Sequence, residues 1–388
     1  GGGGAGGAVN PAILGHAGAA AKTSAPALQE ERWQAAQAVG ILEVCVVLLR
    51  CQLVCERALT MRHHLVAYVV ASGLVHRLRD LFSLFDRPNQ GGQRDPLPPV
   101  VEWSIRLLQT LAEDPSHYMS APPTAHVESP PMGTCAGGGG APAGTTGLDE
   151  SAPAGRSTYT LSSAMRETAL AGLPSLLTTI LLSAERVHRT PVLSCVETAA
   201  DILPVNFVSI ATEALRGINA FACFDLPAAQ RVMGAPDLKV EMYHLISFLL
   251  SFCTLHWDSN ASVRDLLQEV LLLTGYFCLL QPAHQDVMRW GQNATILQKL
   301  CSVPFVFFCD PALMPVLFPT IIAAAFSNDR NKEVIQWELS LEMIQTFIQD
   351  CVKEGPKGQC EAGPRYSFHA RFPCTLWGDA EEFFSATV

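Results

Sequence analysis

From about Leu161 to Val352 the chain places apolar residues at helical spacing almost without pause, and this run constrains the fold more than any other feature. Its breaks are helix punctuation. Thr190-Pro191 reads as an N-cap followed by Pro at the first helical position. Leu203-Pro204 breaks the chain before a helix expected over 207–221. Pro227 and Pro236 bracket a short helical piece. Leu238–His256 reads as a long apolar helix, and Ser262 with Asp265 resembles a capping box opening a helix over Leu266–Leu280. Asp310-Pro311 sets an acid before a Pro, and Asn328 or Asp329 caps a last helix over Asn331–Gln349. No strand alternates with these segments. Each helical pair must hide its apolar face against the next, so the sequence predicts an all-α fold: an irregular armadillo/HEAT-like helical solenoid with a disordered internal insertion. There is no strict period and no tetratricopeptide or ankyrin signature. A compact irregular helical bundle is the alternative.

The chain divides by composition into five stretches. Residues 1–28 are a flexible Gly/Ala-rich segment. Residues 29–118 form an N-terminal helical block, with helices expected over Glu30–Val47, Cys51–Val69, 74–85 and Val100–Ala112. The third would carry Leu74, Leu78, Leu81 and Phe85 on one face. Residues 119–160, rich in Pro, Gly, Ser and Ala, hold nothing that can fill a core. They read as a disordered insertion, whose length costs little loop-closure entropy. Residues 161–352 are the C-terminal helical block. Residues 353–388 form an aromatic-rich tail. Left uncovered, its Phe368, Phe372, Leu376 and Trp377 would expose much apolar area, so the tail is expected to fold back and cap the last helices, the alternative being that it binds a partner's groove.

Composition excludes several classes of function. Of the 388 residues, 49% are hydrophobic and 16% charged, too apolar for a disordered protein. The net charge of −10 argues against autonomous DNA binding, which draws its affinity from neutralised phosphates. It leaves room for one basic face docked on RNA. The 13 cysteines are odd in number, and many (Cys45, Cys223, Cys253, Cys278, Cys301) sit in apolar runs, which points to free thiols in a reducing cytosolic or nuclear compartment. The chain opens on Gly rather than Met and reads as a fragment, with no visible signal peptide. No stretch reaches ~18 uninterrupted apolar residues, so no transmembrane segment is expected.

The sequence announces no site of chemistry. Cys51, Cys55, His63 and His64 lie near one another, but without the paired spacing of a zinc site they read as buried thiols beside interfacial His. No Gly-rich phosphate loop and no GxSxG elbow occurs. His256 with Asp258 reads as helix punctuation, and Asn293-Ala294-Thr295 as a helix start. No catalytic residue, cofactor or metal is expected, and the protein is read as a non-enzyme. The candidate partner-binding residues are instead Arg289, Trp290, Lys299, Arg330 and Lys332. Trp and Arg are enriched in binding hot spots, and these cations sit among apolar positions near helix starts.

Three runs carry a resemblance: DLKVEMYHLISFLLSFCT at 237–254, GYFCLLQPAHQDVMRWGQNATILQKL and its continuation over 275–324, and NKEVIQWELSLEMIQTFI at 331–348. With RFPCTLWGDAEEFF at the end, they resemble the C-terminal region of the S-phase cyclin A-associated protein family of the endoplasmic reticulum, over about 160–388. The resemblance implies an armadillo-like domain of a much larger scaffold. It implies docking on the translating ribosome, with rRNA contact, beside a tetratricopeptide factor that reads nascent tubulin, and a part in tubulin mRNA decay. It equally implies binding of the cyclin A–kinase complex and its retention in the cytoplasm. The implied location is cytoplasmic, at the endoplasmic reticulum surface, with the nucleus also open. No family contact maps onto a particular residue.

Overall fold

A computed structural model describes residues 25–51, 56–84, 95–113, 160–188, 192–193, 196–258, 260–291, 294–358 and 372–386. Among the described residues the fold is all helix, with no strand. The first block holds α1 (Ala25–Arg50), α2 (Glu56–Ala71), α3 (Leu74–Ser83) and α4 (Pro99–Glu113). The second opens with α5 (Leu161–Glu167), a 3-10 turn at Leu170–Gly172, α6 (Leu173–His188), α7 (Val196–Ile202) and α8 (Phe207–Phe224). It continues through α9 (Leu226–Met233), α10 (Pro236–His256), α11 (Ala261–Cys278) and α12 (Pro282–Val287). Then come α13 (Ile296–Cys301), α14 (Val306–Cys309), α15 (Met314–Ala325), α16 (Asp329–Glu338), α17 (Leu341–Gly358) and α18 (Trp377–Ser385).

The helices stack in two layers. One is a spine in which α1 packs on α4, α4 on α8, α8 on α11 and α11 on α15. The other runs α3, α6, α10, α13 and α16, each against the next. Fully buried Phe207, Phe221, Phe248, Phe277, Phe307 and Phe318 belong to the continuous apolar core. Apolar contact is non-directional, so polar bonds fix the register of the spine. Arg50 Nε donates to Thr110 Oγ1 at 3.1 Å between α1 and α4. Arg106 Nε donates to both carboxylate oxygens of Glu213, at 3.0 and 3.1 Å, between α4 and α8. Glu269 of α11 is almost completely buried and accepts from Arg216 Nε at 3.1 Å and Asn219 Nδ2 at 2.9 Å, both on α8. Thr320 Oγ1 of α15 donates to Leu271 O at 2.8 Å.

A second device recurs at the helix ends. The last carbonyls of a helix have no partner within it. Here a short helix supplies the donor. Gln230 of α9 donates through Nε2 to Tyr276 O and Leu279 O, at 2.9 and 2.7 Å, at the end of α11. Gln285 of α12 does the same for Ala323 O and Phe326 O, at 2.9 and 3.0 Å, at the end of α15. Lys332 of α16 donates to Phe383 O at 2.6 Å and to Ala386 O, at the end of α18. Between the first two clamps the correspondence runs further. Leu280 and Ser327, both at positive φ, follow the clamped carbonyls, and Gln281 and Asn328 are the N-caps of the short helices that follow. Residues 372–386 therefore complete a unit with α16 and α17.

Several boundaries differ from those expected. The first helix begins at Ala25 rather than Glu30. In α3 the buried face is Val75, Leu78 and Phe82 rather than the stripe through Leu74 and Leu81. Phe85, the cap at Thr190-Pro191, residues 119–159, Phe368, and residues 1–24 of the Gly/Ala-rich segment lie outside the described residues. Asn260, not Ser262, caps α11: its side chain accepts from Ser262 N at 2.9 Å, because the backbone turns before the expected box. Asp310 closes α14 and accepts from Ala312 N at 2.8 Å. The helix expected over 331–349 is two helices, broken where Leu339 adopts extended backbone. Thr295 opens α13 with a capping box completed by Gln298.

Three of the described helices are long and apolar enough to cross a membrane by length and mean hydropathy, although polar residues interrupt each: Arg32–Arg50, Phe207–Phe224 and Pro236–His256. The last two lie within the stacked layers, with half or more of each buried. The first packs Leu42, Val46 and Leu49 inward and turns Ile41, Val44 and Leu48 outward.

Two outcomes test this account. Gln285→Ala orphans Ala323 O and Phe326 O, and urea denaturation is expected to show a loss of about 2–4 kcal/mol. The second concerns His284, which is stacked on Phe277 at 4.3 Å with Nδ1 2.8 Å from Phe277 O and its other nitrogen against Gly234. Burial holds its pKa below the ordinary 6.5, the Phe277 carbonyl opposes this and the Lys239 charge adds to it. Below about pH 6.5 the unfolded protein takes a proton that the folded protein refuses, so stability falls as pH drops through that range. Comparing unfolding free energies at about pH 7.5 and 5.5 should show this slope in the native protein and a flatter one in His284→Gln.

Candidate docking surface

The five candidate residues fall at the junctions between α10, α12, α13 and α16. The turn after α12 is tight: Trp290 N donates to Val287 O at 3.0 Å, and Gly291 follows at φ 103°. A side chain at Gly291 would meet both the strained backbone and the Tyr243 hydroxyl, which closes over it. This turn holds Trp290 edge-on to Tyr243, with ring centroids 5.6 Å apart, and leaves it 40% exposed. The Lys239 amine stands 5.9 Å from its ring centroid.

The cations divide by environment. Arg289 binds Asp286 through Nη2 at 2.6 Å. Through Nη1 it donates to Asn328 Oδ1 at 3.1 Å and to Asn331 Oδ1, tying α12 to the start of α16. Lys299 donates from Nζ to Ser247 O and Oγ, at 3.0 and 2.6 Å, joining α13 to α10. Burial pushes its pKa below the ordinary lysine value. Lys332 is only 2% exposed, its amine spent on the carbonyls of α18 and 4.9 Å from the Phe383 ring centroid. Arg330 is exposed on α16. Arg289, Lys299 and Lys332 therefore join elements of the fold, while Trp290 and Arg330 are the members of the set presented outward.

Sequence reading missed Trp337. It lies on α16 two turns beyond Arg330, hence on the same face, and is 83% exposed. The signal was available. Trp337 follows Lys332 at the interval by which Trp290 follows Gln285, so aligning the two clamps would have set the tryptophans in register. Exposed Glu333 shares this face, one turn from Trp337.

Other candidates are dispersed. His63 and His64 are exposed on α2, and Cys55 lies outside the described residues. Among the described residues no group of three or more His, Cys, Asp or Glu is placed to hold a metal ion. Cys253 and Cys278 are fully buried, and burial pushes both thiols far above the ordinary cysteine range. His256 packs against Phe252 at 4.8 Å.

Among the described residues, then, the protein is all-α, with stacked helices and with Trp290, Trp337 and Arg330 exposed. No family model matches the chain. A human protein, the S phase cyclin A-associated protein in the endoplasmic reticulum, is 36% identical to it over 234 residues, covering 58% of this chain. The resemblance drawn from the three sequence runs holds at that level. The chain spans 16% of that relative's length.

The division of the cations predicts opposite outcomes for two charge reversals. Lys332→Glu places an acid against the carbonyls of α18 and is expected to cost about 3–5 kcal/mol of stability. Arg330→Glu should change it by less than about 0.5 kcal/mol. Thermal and urea denaturation of both variants checks this.

Proposed function

We propose that this protein is a non-enzymatic scaffold, an armadillo-like adaptor domain within a larger protein. The observation that carries the reading is the sustained identity to the cyclin A-associated protein of the endoplasmic reticulum, in a fold whose outward features include Trp290, Trp337 and Arg330. On this reading the domain docks on the translating ribosome, with rRNA contact, beside a tetratricopeptide factor that recognises nascent tubulin, and helps trigger tubulin mRNA decay. The protein would act in the cytoplasm, at the endoplasmic reticulum surface. Arg330 supports the rRNA contact, since an exposed cation unburdened by a structural task is available to phosphate. A second reading is favoured by the relative's name: the domain binds the cyclin A–kinase complex and holds it in the cytoplasm.

Co-sedimentation with ribosomes engaged on tubulin message, at low and moderate salt, tests the first reading. The expected outcome is binding that needs the nascent-peptide factor, weakens with salt and falls in Arg330→Glu and Trp337→Ala. Binding of purified cyclin A–kinase complex without any ribosome association would replace the first reading with the second.

A further inference from the structure

Between α7, α10 and α13 lies a groove of about 570 Å³, within the range of binding pockets for small molecules and peptide side groups. Its walls are mostly apolar, with Val196 on α7, Leu255 on α10 and Ala294 before α13. Leu255 is 52% exposed, so this wall is open to an incoming aliphatic group.

The polar residues of the groove are Glu197, Ser251, Thr254, Lys299 and Ser302. Lys299 lines it, with two of its three N–H donors spent on Ser247 and one remaining. Thr254 lines it too, and its Oγ1 is buried without a hydrogen-bond partner among the described residues. A buried hydroxyl in that state costs free energy until something binds it. Ser251 adds a second hydroxyl from the next turn back on α10. The Ser251 and Ser302 hydroxyls already donate to Ser247 O and Gln298 O, so the donors left over are the Lys299 amine and the Thr254 hydroxyl, which an acceptor carrying negative charge would satisfy. Glu197 stands at the α7 rim. It would repel a dense polyanion such as a nucleic-acid backbone, while tolerating a single carboxylate whose neighbouring peptide N–H groups it can accept from.

From this we infer that the α7–α10–α13 groove is a peptide site: it takes one aliphatic side group against Val196 and Leu255 and one carboxylate against Lys299 and Thr254. The carboxylate is either that of an Asp or Glu residue or the C-terminal carboxylate of the bound peptide. Burial already destabilises the charged amine of Lys299, so an anion that restores its charge partner gains from a cost the free protein bears. The inference extends the adaptor reading by giving it a peptide-binding site. Its test uses neither ribosomes nor cyclin, so the two can fail separately.

The full-length protein is titrated by calorimetry with acetyl-Leu-Asp-Leu-amide, its Asn counterpart, and acetyl-Leu-Leu with a free C-terminal carboxylate. Binding of the Asp peptide at least tenfold tighter than the Asn peptide is expected if an Asp or Glu carboxylate is read. Tighter binding of the free-acid peptide assigns the terminus instead, and either result supports the site. Lys299→Met should weaken the preferred peptide at least tenfold and Thr254→Val severalfold, while Lys353→Met, exposed on α17 and outside the groove, should leave it unchanged. The peptide comparison needs no variant, so a folding defect in Lys299→Met would not blunt the test. No binding by any peptide, equal binding of Asp and Asn forms without free-acid preference, or undiminished binding by folded Lys299→Met would overturn the inference.

Discussion

A helix that ends inside a protein leaves carbonyls that must find donors, and this stack of long helices depends on how that demand is met. The answer is one polar residue per unit. Gln230, Gln285 and Lys332 each reach from a short helix to two carbonyls three residues apart at the end of another helix. The short helices α9, α12 and α16 are therefore more than connections. Each fixes where its neighbour stops, and hence how the next apolar face meets the stack. The last clamp uses a cation where the others use an amide, which suits the negative end of a helix dipole.

The same constraint organises the surface. Residues enlisted to register the layers are withdrawn from contact with other molecules. Arg106, Arg216 and Arg289 pair with carboxylates of the fold, and Lys332 faces inward. Trp290 and Trp337 remain outward because each comes after the clamp residue, where the short helix has turned away from the core. The matching places of these two tryptophans thus follow from the repeat that builds the interior.

Much of this was legible in the amino-acid order. The all-helical class followed from apolar spacing, and the helix starts at Asn293-Ala294-Thr295 and at Asn328 or Asp329 from local chemistry that needs few distant partners. Asn260 was missed because Ser262 and Asp265 offered a competing cap, and the turn that chose between them is set by packing. The break at Leu339 was hidden because helical periodicity continues across it. For the candidate surface, residue type drew attention to Arg289, Lys299 and Lys332, but type does not say where a long flexible residue ends. Whether an amine meets solvent, a serine or a helix terminus depends on residues some fifty positions away. Trp337 was overlooked for the opposite reason: the repeat that would have matched it to Trp290 rests on a Gln–Lys correspondence that composition conceals.

The clamps also carry a direction in time. Gln230 lies 46 and 49 residues before its carbonyl partners, Gln285 38 and 41, and Lys332 51 and 54. None can close until the far end of a later helix exists. A polypeptide emerging from its N-terminus can therefore form each clamp only when the helix bearing those carbonyls has been made. In chain order, the clamp at Lys332 waits longest, since its carbonyls at Phe383 and Ala386 lie furthest along the described helices.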